Sequence, residues 1–126
     1  MELDSPRPLT PAERMVLDLL LSVEFAGVGE LREQARSVVV TGGCDCGCPT
    51  VDLRVSSDVP AVAGFGSGLV PAEGVVSKAG QAVPEQIILF ARDGRLSSLE
   101  YVWIEEPPQQ WPPRDRIGVI IAGQRS

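Results

Sequence analysis

The sequence predicts an α+β domain in which two N-terminal helices pack on an antiparallel sheet of about four to six strands. Three observations carry that expectation. Apolar residues between Ala12 and Val23 recur at helical spacing. Two β-branched runs, Val38–Thr41 and Thr50–Val55, flank a knot of glycines and cysteines. Finally, Glu85–Arg92 and Arg95–Ile104 face each other across Asp93-Gly94, a favoured two-residue hairpin turn. At 126 residues the chain is long enough for one domain with a sizeable core. Its 44% apolar and 22% charged content is that of a folded chain.

In chain order, residues 1 to 9 read as a loose lead-in. Thr10-Pro11-Ala12-Glu13 then supplies a helix start, with Thr10 as N-cap, Pro11 at the first helical position and Glu13 closing a capping box. Ala12, Met15, Val16, Leu19, Leu20 and Val23 form one apolar face, widened by Leu17 and Leu21, and the helix is expected to end near Phe25 before Gly27. A shorter helix follows from about Gly29 to Arg36, with Leu31 and Ala35 inward.

After the cysteine hairpin, residues 57 to 74 are rich in Gly, Ala and Pro and read as a long surface connection with one short strand at most. Gly64-Phe65-Gly66-Ser67-Gly68 has no strong strand before it, no helix after it and no nearby Lys, so it does not read as a phosphate cradle. Val75–Lys78 is a short strand candidate. In the Asp93-Gly94 hairpin both faces are apolar, which predicts a central position covered on both sides, with Ile88, Phe90, Leu99 and Trp103 buried. A bulge at Ser97-Ser98 would let Leu96 and Leu99 both point inward. The two arginines around Asp93-Gly94 read as part of an ordinary solvated turn. Residues 105–116 are Pro-rich and extended, with Trp111 folded back on the domain, and Ile117–Ile121 is a last strand before a frayed Gly123–Ser126 tail.

The chemistry is bounded mainly by what is missing. There is no histidine, which removes Ser-His and Cys-His pairs and every His-ligated metal. The net charge of −6 argues against generic binding to nucleic acid or to an anionic membrane and suits a basic protein partner. The N-terminus lacks an apolar signal core and the longest apolar run is too short to span a bilayer, so a cytoplasmic protein with reduced thiols is expected.

All three cysteines, Cys44, Cys46 and Cys48, fall within five residues. Three alternating thiols without His are one ligand short of a structural zinc site, and Asp45, Asp52, water or a second chain would have to supply the fourth. On an extended strand the outer sulfurs would sit about 13 Å apart, too far for one ion. A curled loop, which Gly42, Gly43 and Gly47 permit, would bring them together. A redox pair of Cys44 and Cys48 is a further option. The plainest reading is that small residues pack a tight turn beneath a helix, with no cofactor. Carboxylate pairs such as Asp45 and Asp52, or Glu105 and Glu106, read as surface charges rather than an acid–base pair.

Several stretches resemble a group of small uncharacterised proteins from high-GC bacteria with a hairpin of the same cysteine pattern. They are Leu17–Ser22, Phe25–Gln34, Cys46-Gly47-Cys48-Pro49 with Val51-Asp52-Leu53, and Phe90–Glu100. The almost exclusive use of Arg over Lys, with Lys78 the one lysine, suits such a source. The resemblance implies no activity. The hairpin closing on Leu99-Glu100 is also similar to hairpins of small toxin-immunity proteins. The expected function is therefore a non-enzymatic binding protein, an immunity-type inhibitor presenting Asp45, Asp52, Glu105 and Glu106 to a basic partner. The alternative is a cysteine-dependent metal or redox protein, with zinc as the metal.

Overall fold

The structure, a computed structural model, describes residues 2–121; the Gly123–Ser126 tail lies outside them. Two helices accompany one antiparallel sheet of eight strands, more than the four to six expected. The strands are β1 Glu2–Pro8, β2 Val39–Gly43, β3 Val51–Arg54, β4 Gly68–Leu69, β5 Ala72–Val76, β6 Glu85–Arg92, β7 Arg95–Val102 and β8 Ile117–Ile121. They are ordered β1-β2-β3-β7-β6-β5-β8, with the short β4 pairing a stretch of β6 that β5 does not reach. Helix α1 spans Pro11–Leu20 and α2 spans Val28–Ala35. Among the described residues no helix is long and apolar enough to cross a membrane.

Two of the additional strands come from stretches that looked irregular. Residues 2–8, expected as a loose lead-in, form edge strand β1 on β2. This stretch carries Pro6 and Pro8 and little apolar surface, and an edge strand tolerates both because one side of it makes no ladder. Arg7 then ties the edge to α1. Its guanidinium donates to both oxygens of Glu13 at 2.9 Å, while Thr10 and Glu13 complete the expected capping box. Burial alone would raise the Glu13 pKa, but Arg7 and the Thr10 N–H outweigh it and hold the carboxyl below its usual range. Helix α1 ends at Leu20, earlier than Phe25.

The helices and the sheet share one core. Val16, Leu17 and Leu20 of α1 and Leu31 of α2 are fully buried with Val40, Ile87, Leu89 and Leu99 of the sheet. The β6–β7 hairpin turns at Asp93 (φ 51°) and Gly94 (φ 75°), the positive pair that a two-residue turn needs. Strict pairing about that turn breaks between Phe90 and Ala91, so Phe90 faces Ser98 and Leu89 faces Leu99. This bulge at Ser97-Ser98 buries Leu96 and Leu99 together. It also corrects the expected core, because Ile88, Phe90 and Trp103 are only half-buried and Val102 and Ile104 are exposed. Helix α1 contacts β5 and α2 contacts β7, and most buried apolar strand residues share one core with them.

The 57–74 connection is not a plain surface loop. Val62 is buried, and its N–H donates to the Gly94 carbonyl at 2.9 Å. A Cβ on Gly94 would fall 2.6 Å from the Val62 carbonyl, so only glycine fits there. Gln34 of α2, wholly buried, completes the clamp: its amide donates to the Gly94 and Pro60 carbonyls at 2.9 and 3.1 Å and accepts from the Leu96 N–H at 2.9 Å. Gly94 is therefore a buried junction, while Arg92 and Asp93 keep the exposure that a solvated turn predicts.

Candidate functional site

The opposite tip, between β2 and β3, carries the three thiols. Strand β2 leaves the ladder at Gly43, and the Cys44 N–H still reaches the Thr50 carbonyl at 3.3 Å. The chain then folds back: the Gly47 N–H donates to the Cys44 carbonyl at 3.4 Å, and Gly47 takes a φ of +87°. That is the curled alternative to an extended strand, with glycine at the position that needs a left-handed backbone. Beyond the turn, Thr50 accepts from the Tyr101 N–H at 2.9 Å, which fixes the base of the loop against β7.

The three sulfurs consequently lie within 4.8 Å of one another. Cys44 Sγ and Cys46 Sγ are 2.7 Å apart. Two backbone donors point at sulfur, the Cys46 N–H at Cys44 Sγ and the Cys48 N–H at Cys46 Sγ, both at 3.4 Å. Cys44 and Cys46 are exposed and Cys48 is 9% exposed. The expectation that the cysteines serve as small packing residues beneath a helix holds for Cys48 at most. Glycine and hairpin closure force the turn; the Cys44 and Cys46 thiols face outward.

The group comprises the three cysteines alone; among the described residues neither Asp45 nor Asp52, the two proposed fourth ligands, joins it. Asp45 sits between the first two cysteines and is exposed. Asp52 is exposed on β3 and lines a shallow groove of about 490 Å³ with Phe90, Arg92, Ser98 and Glu100. Glu105 and Glu106 are exposed in the segment after β7. Since Val51 pairs with Leu99 on an antiparallel β7, the cysteine tip and the Glu105-Glu106 segment emerge from the same end of the sheet. The acidic residues thus divide: Asp45, Glu105 and Glu106 belong to the thiol end, whereas Asp52 belongs to the sheet.

A second cluster escaped the sequence reading. Glu85 is 1% exposed, and its carboxylate accepts from the Tyr101 hydroxyl at 2.7 Å and the Ile104 N–H at 3.1 Å, with Lys78 Nζ at 3.3 Å. Burial would raise its pKa; the Tyr101 and Ile104 hydrogen bonds and the Lys78 cation together hold it below the usual carboxylate range. Burial and the same carboxylate push the Tyr101 phenol up. Trp111 packs on Tyr101 with ring centroids 5.9 Å apart, so the Pro-rich segment folds back as expected. Every oxygen of Glu85 is committed to anchoring chain at the thiol end of the sheet, which is a structural use. A lone Glu heading an apolar strand, with the sole Lys seven residues before it, was the only signal in the sequence.

No family model, curated protein or solved structure matches the chain.

Proposed function

We propose that this protein binds a thiophilic metal ion through Cys44, Cys46 and Cys48. The observation that carries the reading is the convergence of three sulfurs within 4.8 Å on an outward-facing hairpin tip. An ion with bonds of about 2.3 Å to each of three sulfurs holds them about 4 Å apart, so binding asks mainly that the Cys44–Cys46 pair open by about 1 Å. The two N–H groups directed at sulfur would support the charge that a bound thiolate keeps. The test is titration of reduced, metal-free protein with Cd²⁺ or Zn²⁺, following sulfur-to-cadmium absorption and proton release. One equivalent should bind, and Cys46→Ser should abolish it. Reduced protein that binds no thiophilic metal ion, these two included, would overturn the reading.

A basic protein partner is the second reading, supported by Asp45, Glu105 and Glu106 at that same end of the sheet. Association should slow as salt rises and when Glu105 and Glu106 are reversed to Lys. A partner whose on-rate ignores both changes would exclude it.

A further inference from the structure

Resting on the metal reading above, we infer that the ion this tip is built for is monovalent copper, held by the three sulfurs and passed on through their open side. Coordination number is the first argument. Zinc in a structural site takes four protein ligands. The chain has no histidine, and the converging group holds three thiols without a carboxylate among the described residues. Zinc here would have to finish its tetrahedron with water or with a ligand from a second chain. Monovalent copper is a soft ion selected by thiolate sulfur, and three sulfurs in a plane leave it no vacant bond that must be filled.

Exposure is the second argument. A structural metal is enclosed, and the fold around it depends on the ion. Here the core, the helices and the β6–β7 junction are complete without any contribution from the tip, and Cys44 and Cys46 face solvent. An incoming thiolate can therefore bond to copper on the open side before one of the three original sulfurs leaves. Copper stays monovalent throughout such an exchange, so no oxidant or reductant is needed. Binding itself releases up to three thiol protons to water. Full deprotonation leaves three thiolates and one cation with a net charge of −2, which a solvated tip sustains far better than a buried pocket does.

The experiment uses the full chain, reduced and handled without oxygen. Monovalent copper is titrated against bathocuproine disulfonate, zinc is titrated in a parallel sample, and the copper form is examined by X-ray absorption. The inference expects one copper per chain with three sulfur neighbours, and at least a tenfold loss of affinity in each of Cys44→Ser, Cys46→Ser and Cys48→Ser. Zinc should be removed readily by a chelator, and copper transfer to added bathocuproine disulfonate should accelerate as that acceptor is raised. Zinc held against the chelator with four protein ligands would overturn the copper assignment while leaving the metal reading standing. Several copper ions in a bridged cluster, two-sulfur coordination, or a transfer rate independent of acceptor would likewise overturn it. Binding of neither metal would remove both readings together.

Discussion

Two antiparallel hairpins of one sheet, β2–β3 and β6–β7, end in glycine-containing tips at opposite ends of the strands, and the two tips differ in almost every physical respect. The Asp93-Gly94 tip is locked from three directions, by Gln34, by Val62 and by the Gly66 carbonyl, which accepts from the Gly94 N–H at 2.7 Å. The cysteine tip is tied to the rest of the sheet at its base, where Thr50 accepts from the Tyr101 N–H, and it leaves two thiols in water. Folding needs the first tip to hold α2 and the 57–66 loop on the sheet. From the second it takes the Thr50 hydroxyl and the buried Cys48, whereas the Cys44 and Cys46 thiols make their contacts within their own turn. Where a loop keeps reactive groups that the fold does not use, those groups are the better guide to function.

The sharpest way to break this contrast is at Gln34. Gln34→Leu preserves volume but strips partners from the Pro60 carbonyl and the Leu96 N–H in a buried site. Orphaned buried polar groups make the expected cost about 3–5 kcal/mol. Urea unfolding measures it, and a loss under 1 kcal/mol would mean the β6–β7 tip is not the junction described. Gly94→Ala should be comparably harmful, since the new methyl meets the Val62 carbonyl and the backbone holds a positive φ.

A smaller effect is expected from acid, and it comes from two buried carboxylates, Glu85 at the thiol end of the sheet and Glu13 beside Arg7. Glu85 and Glu13 are both held below the usual glutamate range when folded. Between the folded and unfolded values the unfolded chain binds more protons, so stability rises with pH there. Their contribution is complete above the unfolded value of about 4.3 and is lost as pH falls through the folded values. Unfolding midpoints should therefore drop on acidification below that point. Glu85→Gln should cost roughly 1–3 kcal/mol at neutral pH and make the acid loss shallower. An equal acid loss in the variant would mean that Tyr101, Ile104 and Lys78 do not favour the charged carboxylate.

How much of each tip the sequence disclosed follows from the range of the interactions involved. The capping box, the Asp93-Gly94 turn and the Ser97-Ser98 bulge depend on neighbours a few residues away, and all three were legible. The burial of Gly94 depends on Gln34, 60 residues distant. Nothing in Arg92-Asp93-Gly94-Arg95 announces it. β1 was missed because an edge strand is held by backbone pairing and by one Arg7–Glu13 pair, with no alternation of apolar residues to reveal it. At the cysteine tip, the glycines allowed a curled loop without requiring one. The convergence of the sulfurs became visible only in three dimensions.

The smallest expected effect tests the comparison most directly. Cys44→Ser and Cys46→Ser alter exposed side chains whose sulfurs contact one another and the backbone N–H groups of the tip. In metal-free, reduced protein each should change stability by no more than about 0.5 kcal/mol, the range of ordinary surface substitutions. Adding an ion reverses the picture. A ligand that binds only the folded state at a hundred times its Kd adds about 2.7 kcal/mol, and the serine variants, bound at least tenfold more weakly, should gain at least about 1.3 kcal/mol less than the wild type. The cysteine tip would then be silent in folding and decisive in binding, the converse of the β6–β7 tip. Serine variants that destabilise the metal-free protein by 2 kcal/mol or more would show that these thiols are part of the folded framework, and the division of labour between the two tips would fail.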